Sequence, residues 1–215
     1  MTDSWFTFET AVGRGKGHVR LKEGKCWTLF TTLQELRGHE EQNDAHGTRP
    51  KGVAHGTQQG RLTWLEQKQH DEATLGHDPE NQPYVLIVGG GQGAIALAAR
   101  LKQLSVPTIV VEKNERAGDS WRKRYRSLCL HDPVWYDHLP YLNFPDHWPI
   151  FSPKDKVGDW LEMYTKIMEL NYWSSTTVMS ASYDDEAGRW VVAVANGSKV
   201  VTLRPTQLVM ATGMS

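Results

Sequence analysis

The sequence has 215 residues, which sets an expectation of one or two domains. Its 24 Lys+Arg against 25 Asp+Glu exclude a strongly basic surface for nucleic acid or an anionic membrane. No apolar run approaches the roughly 20 residues of a membrane span, and Met1-Thr-Asp-Ser-Trp5 has neither the basic nor the apolar region of a secretory signal.

The first 37 residues alternate and turn in the manner of β-structure. Strands are predicted over 5–12, 18–22 and 25–33, with turns at Gly13-Arg-Gly-Lys-Gly17 and Glu23-Gly24. Three strands in so short a segment cannot bury enough apolar area to stand alone. Residues 38–82 are polar and glycine-rich and are expected to form a linker with one short helix over 61–73. His39, His46 and His55 fall in it at spacings that match no metal site, so they are expected to be solvated. Cys26 and Cys129 lack C-x-x-C spacing, which excludes a disulfide framework and points to a reducing compartment, the cytoplasm. The nine Trp residues are expected mostly in cores.

Residues 84–112 carry the chemistry. An apolar run, Tyr84-Val-Leu-Ile-Val88, leads into Gly89-Gly-Gly-Gln-Gly-Ala94 and then an Ala/Leu-rich helical stretch. A second β-branched run, Thr108-Ile-Val-Val111, ends in Glu112. This is a βαβ unit whose loop fits G-x-G-x-x-G/A as Gly89, Gly91 and Ala94. Gly89 permits the tight turn, Gly91 lets backbone approach a pyrophosphate, and Ala94 is small enough for helix–strand packing. The free N–H groups at the helix start, with Gln92 and Gly93 in its first turn, favour phosphate. Glu112 stands where the fingerprint places a ribose-binding acid. The expected ligand is a dinucleotide, with FAD and NAD equal; the alternative is a glycine-rich turn in another kind of α/β protein.

Beyond Glu112, Gly118-Asp-Ser-Trp121 is a glycine turn followed by a Trp and three cations. Two readings stand: a ligand-facing turn, or a helix start capped by Asp119 or Ser120 with Trp121 in the core. Residues 126–151 form an irregular, aromatic, proline-rich loop. Ser152-Pro-Lys-Asp155 predicts a helix start, with Ser152 as cap, Pro153 first in the helix and Asp155 completing a capping-box-like arrangement. Val157, Trp160, Leu161, Tyr164, Ile167 and Met168 then share one helical face. Strands follow at 173–183, 189–195 and 199–203, with Asn196-Gly197 as a hairpin signal, and a short strand leads into Ala211-Thr212-Gly213.

From Tyr84 onward, in this order, the motifs resemble the FAD-binding part of class B flavin-dependent monooxygenases (flavin-containing monooxygenases, YUCCA-type and Baeyer–Villiger enzymes). The glycine loop and Glu112 come first. Gly118-Asp-Ser-Trp121 matches the family's Gly-Gly-x-Trp, and Tyr125-Arg-Ser-Leu-Cys-Leu-His131, the aromatic loop and Ala211-Thr212-Gly213 follow. Asp119 and Ala94 depart from family glycines. The fold implied is α/β: a Rossmann-like FAD-binding domain, part of a two-dinucleotide-binding flavoprotein, with a β-meander insertion. The expected domains are a small β segment over 1–37, similar in pattern to the tail of a SnoaL-like domain, the linker over 38–82, and the FAD-binding domain over 83–215.

By resemblance, Gly89, Gly91, Gln92, Gly93 and Ala94 would hold the FAD pyrophosphate and Glu112 the adenosine ribose. Ser120 and Trp121 would lie along the cofactor, Leu130 and His131 would approach the isoalloxazine, and the backbone at Val178 would edge the adenine. Thr212 and Gly213 would mark the return toward an NADPH domain. The chemistry implied is NADPH-driven oxygenation of a small organic substrate through a flavin C4a-(hydro)peroxide, with His131 as the candidate catalytic hydrogen-bond donor. No second glycine fingerprint occurs in the 215 residues, so the expectation is a truncated chain whose turnover needs a homo-oligomer or a complementing chain. Two alternatives are a non-catalytic remnant that keeps the fold and a disulfide-reductase-type flavoprotein. The latter is disfavoured because no C-x-x-C or C-x₄-C lies near the first helix. Neither a metal nor nucleic acid is called for.

Overall fold

A computed structural model describes residues 1–42, 49–50, 52–53 and 55–213; His46 lies outside the described residues. The chain divides into two compact units, residues 1–54 and 55–215.

The first unit is an antiparallel meander of β1 (Thr2–Glu9), β2 (Gly13–Lys22) and β3 (Lys25–Leu36). The run Gly13-Arg-Gly-Lys-Gly17, expected as a turn, is the first half of β2. The partner strand explains why. Phe6 pairs with Gly17 and Phe8 with Gly15, and a Cβ on these glycines would stand 2.2 and 2.3 Å from the Phe rings. The rings fill the space the glycines leave, which offsets the weak strand propensity of Gly. The chain reverses at residues 10–12 instead, where Thr10 Oγ1 accepts the Gly13 N–H at 3.0 Å. Among the described residues of this unit no large apolar side chain is fully buried.

The second unit opens with α1 (Trp64–Thr74). Thr63 caps it, and Glu66 returns a hydrogen bond to the cap backbone. There follow β4 (Val85–Val88), α2 (Gln92–Gln103), β5 (Thr108–Val111), α3 (Asp119–Arg122), α4 (Lys154–Ile167) and β6 (Tyr172–Trp173). β7 (Thr176–Asp184), β8 (Arg189–Asn196), β9 (Lys199–Leu203) and β10 (Gln207–Met210) complete it. β10, β4, β5 and β6 form a parallel sheet in that order, and β7, β8 and β9 form an antiparallel meander.

Strand alternation sorts the core into two faces. Val85, Ile87 and Val110 pack under Ala94, Ile95, Ala98 and Ala99 of α2 and Val157, Leu161 and Tyr164 of α4. Leu86, Ile109 and Val111 face the other way, onto Val192, Val194 and Leu203 of the meander. The unit is thus three layers: helices, parallel sheet, meander. Each fully buried Leu or Ile contributes about 1.5–3 kcal/mol to holding them together. The fold is α/β and Rossmann-like with a β-meander, as the sequence implies.

Three local expectations change. The strand expected over 173–183 is divided. The Glu112 N–H bonds the Trp173 carbonyl at 2.9 Å, which draws β6 into the parallel sheet, and Ser175 then turns the chain at φ 50° into β7. The hairpin signal is displaced by one: Asn196 pairs with Lys199, so Gly197 and Ser198 make the turn. Ser152 does not cap α4. It is fully buried, and its hydroxyl donates to the Pro149 carbonyl at 3.3 Å, leaving Pro153 as the uncapped N-cap residue.

Candidate dinucleotide site

The parallel strands end, at their carboxyl edge, on the glycine loop. Gly89 leaves β4 with φ 96°, and its N–H donates to the Val111 carbonyl at 2.9 Å. A Cβ there would stand 2.5 Å from the Ala211 carbonyl oxygen and 3.0 Å from the Thr212 Cα. So the loop is pressed against the residues that follow β10. Gly90 is gripped on both sides of its peptide. Its N–H donates to Glu112 Oε2 at 2.6 Å, and its carbonyl accepts the Tyr172 hydroxyl at 2.9 Å.

The next residues open outward. A Cβ on Gly91 would meet nothing nearer than Ser120 Oγ at 3.9 Å, and one on Gly93 would meet nothing within 4 Å. Gly91 is the N-cap of α2, with no side-chain cap, so the first-turn N–H groups of Gln92 and Gly93 face outward from exposed residues. Ala94, by contrast, is buried between α2 and the sheet. The result is a rigid loop with a bare, donor-lined outer surface, the shape and polarity a pyrophosphate needs.

Glu112 ends β5 and is 7% exposed. Besides the Gly90 N–H, it accepts the Asn114 backbone N–H at 2.8 Å and the Asn114 side-chain amide at 2.6 Å. Three donors leave one of about four carboxylate lone-pair positions for a ribose hydroxyl. Lys123 Nζ donates onward to Asn114 Oδ1 at 2.8 Å, linking this carboxylate to α3.

α3 revises the capping expected at the second motif. Gly118, at φ 86°, is the N-cap residue; neither Asp119 nor Ser120 caps. Asp119 is buried and ion-paired to Arg122 at 3.0 Å. Burial pushes the Asp119 carboxyl up, but the Arg122 hydrogen bond and the charges of Arg116, Arg122 and Lys123 reverse this and hold it below its ordinary range. Ser120 is exposed toward the glycine loop. Trp121 is half-buried against the core, and its indole N–H donates to Gln92 Oε1 at 3.0 Å. It therefore joins the first turn of α2 to the second motif.

The remaining candidates stand as follows. Leu130 is buried in the α2/α4 core, its N–H bonded to the Ser152 carbonyl at 2.8 Å, and His131 follows on the exposed loop. Val178 lies in β7 beside a bulge at Met179, two residues past Thr176, whose N–H donates to the Glu112 carbonyl at 2.8 Å. Thr212 is exposed beside Gly89, and exposed Gly213 follows it in the chain. The structure thus gathers residues 89–94, Glu112, Ser120, Trp121 and Thr212 at one edge. Leu130, His131 and Val178 stand on other elements. Sequence reasoning missed Asn114 and Tyr172; Asn114, two residues past Glu112, had a local signal as an Asx-type side chain, while Tyr172 had none.

A hollow lies elsewhere. It encloses about 460 Å³ between α1 and the amino end of β5, lined by Trp64, Lys68, Leu75, Lys102, Pro107 and Leu170. Among the described residues no group of His, Cys, Asp and Glu is placed to hold a metal ion, and no helix is long and apolar enough to cross a membrane.

No family model matches the chain. Among curated proteins it is 35% identical over 129 residues to the probable indole-3-pyruvate monooxygenase YUCCA9 of Arabidopsis thaliana. That match covers 60% of this chain and 31% of the relative, so the chain spans about a third of the length of the relative it matches. Among solved structures it is similar to a flavin-containing monooxygenase from Stenotrophomonas maltophilia (19% identity, TM-score 0.54, 61% of this chain and 38% of that one). It is similar also to OTEMO in complex with FAD and NADP (21% identity, TM-score 0.51, 61% and 25%). A bacillithiol disulfide reductase from Bacillus cereus shares the fold too (14% identity, TM-score 0.56, 61% and 40%). The solved structures speak for the fold, and the curated relative for a sequence similarity over 129 residues. Over about three-fifths of its length, this chain is similar to the class B flavin-dependent monooxygenases of the YUCCA and flavin-containing kind.

Proposed function

We propose that residues 84–213 bind FAD and form the flavin-binding portion of an NADPH-dependent monooxygenase acting on a small organic substrate. One observation carries the reading most directly: the glycine loop is packed tightly at Gly89 and Gly90 but bare at Gly91 and Gly93, with Ser120 alongside. A phosphate-bearing ligand would fill that bare face. The first-turn amides of α2 would bind the pyrophosphate, Glu112 would take a ribose hydroxyl with its free lone pair, and Ser120 and Trp121 would flank the cofactor. The backbone at Val178 would edge the adenine, and Leu130, His131, Thr212 and Gly213 would border the flavin end.

Bound FAD would supply the redox chemistry, accepting a hydride from NADPH and activating O₂ for transfer of one oxygen atom to the substrate. The chain's part is to orient the cofactor, to exclude water from one side with the aromatic loop, and to offer a hydrogen bond from the His131 imidazole. The matched stretch is about a third of the relative's length, so turnover in this reading draws on polypeptide beyond these residues, in the same chain or in a partner. Both cysteines are free, which supports a reducing, cytoplasmic setting.

The purified 215-residue chain mixed with FAD and passed through a desalting column tests the reading. A protein fraction that retains the flavin's visible absorption band is expected. A folded fraction that emerges colourless would mean that the fold is kept without the cofactor, and would favour a non-catalytic module.

A further inference from the structure

The exposed turn that carries Ser120 and Trp121 is not held by its own length. α3 has only four residues, and α4 acts as its splint. At one end the two segments meet backbone to backbone. A Cβ on Gly118 would stand 2.1 Å from the Gly158 carbonyl oxygen, and one on Gly158 would stand 2.8 Å from Arg122 Cγ. At the other end the buried Lys154, first residue of α4, donates to the Arg122 carbonyl at 2.6 Å. Between them lies the Arg122 guanidinium, only 11% exposed. It donates to Asp119 Oδ1 at 3.0 Å, the Ala117 carbonyl at 2.9 Å, Asp159 Oδ1 at 2.9 Å and Glu162 Oε2 at 2.9 Å. One planar fork thus binds both sides of the motif and two successive turns of the neighbouring helix.

We propose that Arg122 is a positioning residue for the flavin nucleotide: by clamping residues 117–122 to α4, it fixes where Ser120 and Trp121 stand against the cofactor. The proposal rests on the FAD reading above. Arg122 does not itself face the glycine loop. It acts through Trp121, whose indole N–H must reach Gln92 at the start of α2 for the two cofactor-binding motifs to share one frame. Only a guanidinium serves several acceptors in one plane; a Lys ammonium at this position is a point charge on a flexible stem. The two glycines carry the same geometry in steric form, since α4 can approach α3 this closely only where neither has a Cβ. The rest of the edge is held by different contacts: Gly89 bonds the Val111 carbonyl, Gly90 bonds Glu112 and Tyr172, and Glu112 bonds Asn114.

The test titrates FAD into the full chain and its variants and follows both affinity and the visible circular dichroism of the bound flavin. Measurements are made at a temperature where each variant keeps the native far-ultraviolet spectrum. R122Q is expected to weaken binding about tenfold, equivalent to about 1.4 kcal/mol, and to change the flavin's dichroic band. R122K is expected to recover thermal stability in part and affinity very little. G158A, which keeps every charge, is expected to lose affinity as R122Q does. A folded R122Q with wild-type affinity and wild-type dichroism overturns the proposal, because a role confined to stability would leave both unmoved. Should R122Q fail to fold, E162L decides: it removes one acceptor of the clamp and is expected to weaken binding roughly threefold, and unchanged binding overturns the proposal. A wild-type chain that takes up no FAD overturns the functional reading, and this inference with it. A wild-type chain that binds alongside an unaffected R122Q overturns the inference alone.

Discussion

Gly89 and Gly91, two residues apart, carry different burdens. Gly89 needs its left-handed φ of 96° and leaves no room for a side chain beside Ala211. Gly91 has ordinary backbone geometry and open space where a Cβ would go. G89A is therefore expected to lower stability by roughly 2 kcal/mol or more, from strain and backbone contact together. G91A is expected to leave thermal stability within about 0.5 kcal/mol of wild type while weakening FAD binding at least about tenfold, by placing a methyl where the pyrophosphate would lie. Melting curves and a flavin-fluorescence titration on the two variants separate these effects; equal loss of stability in both would contradict them. The glycines and Glu112 were legible in the sequence because the fingerprint is local, a loop and the acid ending the next strand. Tyr172 was not. It reaches the Gly90 carbonyl from 82 residues away, and nothing in its own neighbourhood marks it. Arg122 was visible only as one cation among three, because its partners Asp159 and Glu162 lie on another helix.

At the scale of elements, α4 is a core helix whose inner face the 3.6-residue period showed clearly. Val157, Leu161 and Tyr164 are buried, while Ile167, the last residue of the helix and of the same stripe, is exposed. Its start was misread because a Ser-Pro pair looks like a cap from sequence alone, whereas the Ser152 hydroxyl is already claimed by Pro149. Tyr164 also ties the helix to the aromatic loop, its hydroxyl donating to the Pro140 carbonyl. Burial pushes the Tyr164 phenol up to about 12 and holds the Tyr172 phenol above its ordinary value as well. A tyrosine whose folded pKa exceeds its unfolded value of about 10 keeps its proton more tightly in the native state. Its contribution is therefore complete below about pH 10 and is lost as pH rises toward about 12. Melting temperature is expected to fall across that window, and Y164F to make the fall shallower while Tyr172 sustains part of it. An unchanged alkaline slope in Y164F would show that the phenol does not feel its burial. On the acid side the signs reverse. Burial pushes Asp119 up, but its ion pairs outweigh that, and Lys166, opposed by burial, holds Glu162 down. Their stabilisation is present above the ordinary carboxylate range and lost as pH falls below it.

For the molecule as a whole, the two apolar clusters lie entirely within residues 75–211. The first unit, in contrast, has a sheet with exposed Trp27, Leu29, Phe30 and Leu33 and no fully buried large apolar side chain among its described residues. Residues 55–215 expressed without the first unit are expected to unfold cooperatively at nearly the wild-type temperature. Residues 1–54 alone are expected to show no cooperative transition, since three strands without a covered face are marginal. Circular-dichroism melts of the two pieces check this; a sharp transition in the short piece would overturn it. The sequence made the α/β class plain through alternation of strand and helix patterns, but not the order of the parallel sheet, which depends on pairings between distant segments. That order has a consequence in time. β10 is synthesised after every other described strand, yet its place is beside β4, the strand that opens the nucleotide fold. As the polypeptide emerges from the ribosome, Val85, Leu86, Ile87 and Val88 must wait, with one edge of their backbone unpaired, while nearly all of the unit is translated. The interval before β10 arrives is when this chain is most exposed to pairing with the wrong strand, its own or a neighbour's.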